Sequence, residues 1–154
     1  MLKKITPILV VAALACGGDD ITGNPEDITF APELGIDLAT MTRTASGLYW
    51  KDIVLGQGTS VAAGATVTVH FTGWLPNGRV FDTTRSDAQP AVLDLDNTIS
   101  GWQEGIPGMQ VGGRRLLVIP PNLGFGPLGT PNGAVPGNMT TVFDVEVLDV
   151  DNSG

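Results

Sequence analysis

Thr66-Val-Thr-Val-His-Phe-Thr72 alternates strictly, with Val67, Val69 and Phe71 on one face and Thr68, His70 and Thr72 on the other. A period of two in β-branched and aromatic residues marks a strand buried on one side. Pro76-Asn77-Gly78 follows as a turn, because Asn and Gly tolerate positive φ, and Arg79-Val-Phe-Asp82 reads as a short return strand. Working outward, Ala91 to Leu95 is another short strand, and Leu48 to Leu55 is one closed by Gly56-Gln-Gly58. Arg114 to Ile119 is a strand that stops at Pro120-Pro121, where two ladder donors are missing. Thr140 to Val150 is the longest run, with Phe143, Val145 and Val147 at alternating positions.

Among these strands, Ile99-Ser-Gly-Trp-Gln-Glu-Gly-Ile106 is the one credible helix, halted by Pro107-Gly108. So short a helix does not persist alone in water and must pack on a sheet. The expected architecture is α+β, one curved antiparallel sheet with a small helix in its concavity. Two loops remain: polar 83–89, and 122–137, which is long for so small a domain and therefore functional or disordered. Phe125, Leu128 and Val135 in the second argue for an ordered loop folded over apolar neighbours.

The chain has 154 residues, enough for one domain and a short appendage. Its formal charge of −8 opposes a nucleic-acid-binding surface, and 42% hydrophobic against 16% charged residues is too apolar for a disordered chain. One Cys and one His leave no disulfide framework and no Cys/His zinc cluster. No cofactor signature is present.

Five segments then fall in one order: Val69-His-Phe-Thr-Gly73, Gly78-Arg-Val-Phe-Asp82, Ile99-Ser-Gly-Trp-Gln-Glu-Gly105, Gly124-Phe-Gly126 and Val142-Phe-Asp-Val-Glu146. Their order and spacing resemble the FK506-binding-protein family of peptidyl-prolyl cis–trans isomerases, over roughly Ser46 to Val150. The resemblance implies a five- or six-stranded antiparallel half-barrel around a short helix, and an isomerase domain over residues 45–151. It implies Trp102 as the pocket floor under a substrate proline, Phe71, Phe81, Phe125 and Phe143 as aromatic walls, and Asp82 as a polar rim contact. It further implies Ile99 as a backbone donor to bound peptide, Thr98 as a neighbouring backbone contact, and Ala134 and Val135 as an apolar pair over the pocket. No metal or cofactor is called for. Substrates would be extended, proline-containing polypeptides. The family's frequent tyrosine is Phe125 here, so FK506-like macrolides should bind weakly. Ala91 replaces a common Phe, Asp87 stands where an Arg often pairs with the rim aspartate, and Arg85 is the nearest substitute. The segment from Leu95 to Ile99 is also shorter than usual.

The first 15 residues read as an export signal: Lys3 and Lys4, then an apolar run from Ile5 to Ala15 too short to span a bilayer. Ala13-Leu-Ala-Cys16-Gly17 resembles a bacterial lipobox, which implies lipidation of Cys16 and a protein held on the extracytoplasmic face of a membrane. Losing Lys3 and Lys4 takes the charge from −8 to −10. Residues 16–44, rich in Asp, Glu, Gly and Pro, read as an acidic flexible tether, in which Leu34 to Met41 could form a short helix on the domain. With no long amphipathic helix ahead of the domain, a monomer is expected.

His70 has no Cys or His companion and is given no chemical role. Asp144 and Glu146, two apart on one strand, read as a solvated face, and Arg114-Arg115 is too small a cluster for phosphate. Two other readings stand beside the isomerase: a peptide-docking or chaperone module with little turnover, and a structural surface lipoprotein.

Overall fold

A computed structural model of the chain describes residues 22–154; the export signal and Cys16 lie outside the described residues. Seven strands form one antiparallel sheet: β1 (Thr42–Arg43), β2 (Tyr49–Val54), β3 (Thr66–Trp74), β4 (Val80–Thr83), β5 (Ala91–Asp94), β6 (Arg114–Ile119) and β7 (Thr141–Asp151). Their order is β1-β2-β6-β7-β3-β4, with β5 also on β3. The half-barrel that the resemblance implied is this sheet, with the two-residue β1 added at its edge.

The free edge of β3 is shared. Its first half, Thr66 to Val69, pairs with Asp94 to Ala91 of β5, and its end, Thr72 to Trp74, pairs with β4. At Phe71 the two partners part, and residues 84–90 loop away from the sheet. That parting opens the concave side to solvent.

The helix α1 (Ser100–Gly105) lies across the concavity. Two glycines four apart let it settle: a Cβ on Gly101 would fall 2.6 Å from Ile119 Cγ2, and one on Gly105 would fall 2.8 Å from Leu117 Cδ2. Backbone therefore rests directly on β6. Val67, Val69, Phe71, Leu117, Ile119, Phe143, Val145 and Val147 meet Trp102, Ile106 and Met109 there in a single core.

The outer face is also apolar, which corrects the tether expected over residues 16–44. From Thr22 onward this stretch is seated on the domain. Phe30, Leu34, Ile36, Leu38 and Met41 pack on Tyr49, Val118 and Val142, and β1 joins the sheet edge. In place of a helix over Leu34 to Met41 there are two single 3-10 turns, Pro32–Leu34 and Leu38–Thr40. The physical reason lies in β6: Leu116-Leu-Val-Ile119 is apolar on both faces, as in a strand covered on both sides. Leu117 and Ile119 take the helix, while Leu116 and Val118 take the amino-terminal strap. The strap's acidic residues, exposed between its apolar ones, hid this in the composition.

A second correction concerns Asp144, expected on a solvated face. It is buried, and both its oxygens accept from Arg114, at 2.7 and 2.9 Å from Nε. This pairing holds the Arg114 guanidinium above its ordinary pKa. Arg115 likewise pairs with Asp52 and lies over the Trp50 ring, so the two arginines are structural.

Candidate active site

Where β4 and β5 part, a cavity of about 410 Å³ is lined by Phe71, Phe81, Asp82, Thr84, Ala91, Leu93, Thr98, Ile99, Trp102, Phe125 and Phe143. Eight of the ten residues picked out from the sequence for the pocket thus surround one space. Ala134 and Val135 are not among its lining. Val135 is fully buried with Leu75 and Met139, behind Phe81 and Phe125, and Leu128 of the same loop is 90% exposed rather than folded inward.

The rings hold one another edge to face. Trp102 stands perpendicular to Phe71 (centroids 5.2 Å apart) and to Phe143 (5.5 Å), while Phe81 stands perpendicular to Phe143 (5.5 Å) and Phe125 (5.9 Å). Such pairings satisfy the ring quadrupoles and fix ring orientation. Trp102 is only 3% exposed, yet it is one of the residues that line the cavity. Its indole N–H is buried and has no hydrogen-bond partner among the described residues, a donor left unpaired beside the cavity.

Phe81 owes its place to a bulge: Gly73 opposes Asp82 but Trp74 opposes Val80, which leaves Phe81 as the extra residue of β4. Bulges redirect side chains, and this one turns the phenyl ring into the cavity and leaves Asp82 exposed at the rim. Arg85, the expected substitute partner for Asp82, lies instead 4.0 Å from Glu146, and no ion pair reaches Asp82 among the described residues.

The segment before the helix is held open-handed. Thr98 donates both its N–H (3.1 Å) and its hydroxyl (2.7 Å) to Leu95 O. Gln103 reaches back from α1 and donates to Asp96 O (3.1 Å) and Thr98 O (2.9 Å). Ile99 then caps the helix in extended conformation (φ −62°, ψ 151°), and no acceptor among the described residues takes its N–H. An extended peptide entering the cavity would find that donor at the edge.

Sequence reasoning missed three contributors. Leu93 was legible as the inward neighbour of Ala91 two residues on, while Val92 between them is 67% exposed. Thr84, whose hydroxyl accepts from Phe71 N–H (3.0 Å) and meets His70 Nδ1 (2.9 Å), carried no signal. Nor did Gln103.

The lining is mostly aromatic and aliphatic, with Asp82, Thr84 and Thr98 as its polar side chains. Fold and site together define a domain of the FK506-binding type. The family model for FKBP-type peptidyl-prolyl cis-trans isomerases matches residues 57–148, and the chain belongs to that family. It is 46% identical over 107 residues to a probable FKBP-type peptidyl-prolyl cis-trans isomerase of Haemophilus influenzae, covering 70% of this chain and 44% of that one. It is 42% identical over 106 residues to an FK506-binding protein of Neisseria meningitidis, covering 68% and 96%. The chain therefore spans less than half the length of the first relative and nearly all of the second. Among solved structures it superposes on FkpA from Escherichia coli with a TM-score of 0.71 at 34% identity, covering 80% of this chain and 56% of that one.

Proposed function

We propose that the domain accelerates cis–trans rotation about X–Pro bonds, with Trp102 as the floor under the proline ring. The observation that carries this is the cavity itself, lined mainly by aromatic and aliphatic side chains and open at the parting of β4 and β5. Conjugation ties the prolyl nitrogen to its carbonyl, with a barrier of about 18–20 kcal/mol. In the twisted transition state the conjugation is lost, and the carbonyl oxygen carries less negative charge. An apolar cavity disfavours the planar ground state relative to this less polar state, and walls shaped to the twisted ring add binding that only the transition state receives. Removing about 5–7 kcal/mol gives roughly 10⁴–10⁵-fold acceleration. In this reading Ile99 N–H takes a peptide carbonyl, Phe71, Phe81, Phe125 and Phe143 close around the ring, and Asp82 contacts the polar edge of the amide.

The substrates proposed are extended, proline-containing chains, and the role is assistance of folding outside the cytoplasm. Isomerisation unaided takes tens of seconds. Export and lipidation at Cys16 belong to the same proposal. Only five residues separate Cys16 from Thr22, where the chain is already seated on the domain, and the six peptide steps between them reach at most roughly 20 Å. A lipid anchor there would hold the pocket close to the bilayer.

A protease-coupled assay on a proline-containing tetrapeptide tests the activity. Turnover that Trp102→Ala abolishes while the fold survives supports it. The docking-module reading draws on Ala91, which leaves one wall thin, and on Phe125, which has no hydroxyl; binding of unfolded chains without turnover would favour it.

A further inference from the structure

We propose that residues 22–31, which lie ahead of the family-matched region, are a positioning element for the pocket walls Phe81 and Phe125; this rests on the isomerase reading. Besides Glu26 and Phe30, which meet Tyr49 and the outer face, the strap makes a backbone contact at each end, and each of these two leads to one wall.

At its start Thr22 bridges Met139, Gly23 N–H donates to Asn138 O (2.7 Å), and Thr140 hydroxyl donates to Gly23 O (2.6 Å). Asn138 in turn donates its N–H to Gly126 O (2.8 Å), closing the loop that begins with Phe125. At its end Ala31 N–H donates to Pro76 O (2.7 Å) in the turn between β3 and β4. Glu33 Oε1 lies there within 2.6 Å of where a Gly78 Cβ would stand. Leu75 of that turn, Met139 and Val135 are nearly or fully buried as one cluster, and Phe81 and Phe125 pack against it. One short segment thus ties the loop base and the hairpin turn together, with the rings' backing between them. A ring whose backing shifts by about 1 Å loses complementarity to a twisted amide, and misplacement of that size costs up to roughly a hundredfold in rate.

The test uses the full chain with Ala31→Pro and Thr140→Val, singly and together. Ala31 sits at φ −57° and ψ 135°, so proline removes its N–H without misfitting φ. The control is Leu34→Ala, which weakens the strap's packing on the outer face only. Kinetics are read with a proline tetrapeptide, stability by thermal melting, and the wall loop by hydrogen exchange at the Asn138 amide. The expected result is a fall in kcat/KM of about tenfold in the double variant, with faster exchange at Asn138, while Leu34→Ala lowers Tm and keeps kcat/KM within about twofold. If the double variant does not fold, the single variants are read by the same criteria. Unchanged turnover with faster exchange would overturn the proposal, as would an equal loss in Leu34→Ala. No turnover in the unsubstituted chain would remove the isomerase reading and this proposal with it, a result distinct from an active parent with unaffected variants.

Discussion

Gly73 lies directly against the Phe81 ring: a Cβ on it would stand 2.7 Å from Phe81 Cζ and 2.9 Å from Phe143 Cε1. Two of the pocket's rings therefore rest on bare backbone of β3, and the bulge that turns Phe81 inward works only because its neighbour has no side chain.

Gly73→Ala should accordingly push both rings into the cavity. Overpacking of this kind costs about 1–3 kcal/mol in stability, and the loss of kcat/KM should exceed what that destabilisation explains, by about tenfold or more. Steady-state kinetics measured well below the variant's Tm check it. A variant that melts lower but turns over normally would show that the rings have room to move.

Gln103→Ala should loosen the 95–98 segment without touching the aromatic walls. Two hydrogen bonds go, each worth about 1 kcal/mol net. The Ile99 donor then has to be ordered by the peptide itself, so KM should rise several-fold with kcat nearly unchanged. Equal falls in kcat and kcat/KM would instead mean that the segment acts on the twisted state.

Phe125→Tyr adds a hydroxyl at the rim. If the macrolide's polar groups reach this wall, as the family resemblance implies, one new hydrogen bond of about 1 kcal/mol should tighten FK506 by about fivefold. Calorimetric titration of the two forms measures this directly; identical affinities would place the ligand elsewhere.

The strap carries a pH signature. Tyr49 hydroxyl donates to Glu26 Oε1 (2.7 Å), and this bond, with Arg43 alongside, holds the Glu26 carboxyl below its ordinary pKa. Burial first, then Glu26, pushes the Tyr49 phenol above its own. A depressed carboxylate contributes stability that is complete above its unfolded pKa and drains as pH falls through the folded value. A raised phenol contributes stability that is complete below its unfolded pKa and is lost as pH rises through the folded one. Melting temperature should thus hold between the ordinary carboxylate and phenol ranges and fall on both sides. Tyr49→Phe should reduce the dependence at both ends, which a pH series of thermal melts would show.

Much of the pocket could be read before any coordinates, because its members sit on regular elements. The alternation in β3 places Phe71 inward, and the alternation in β7 places Phe143, Val145 and Val147 beside it. The helix is bounded by Ile99 and Pro107, so Trp102 has nowhere to face but the sheet. Phe81 and Phe125 came only from the family resemblance, since neither a bulge nor a loop leaves a periodic trace. Gln103 and Thr84 were missed for the same reason: each acts through a contact to backbone distant in sequence, and a polar side chain between apolar ones reads as mere surface.

What the order of residues determined unaided is the six longer strands, the short helix and the inward faces, because local sterics and a hydrophobic period depend only on near neighbours along the chain. The tertiary structure decided that residues 22–44 cover the sheet instead of trailing from it, that Asp144 is buried beside Arg114, and that Arg85 turns to Glu146 and leaves Asp82 bare. Those outcomes depend on which surfaces meet across the fold, and the energy of burying an apolar face or pairing a charge has no existence until both partners are brought together in space.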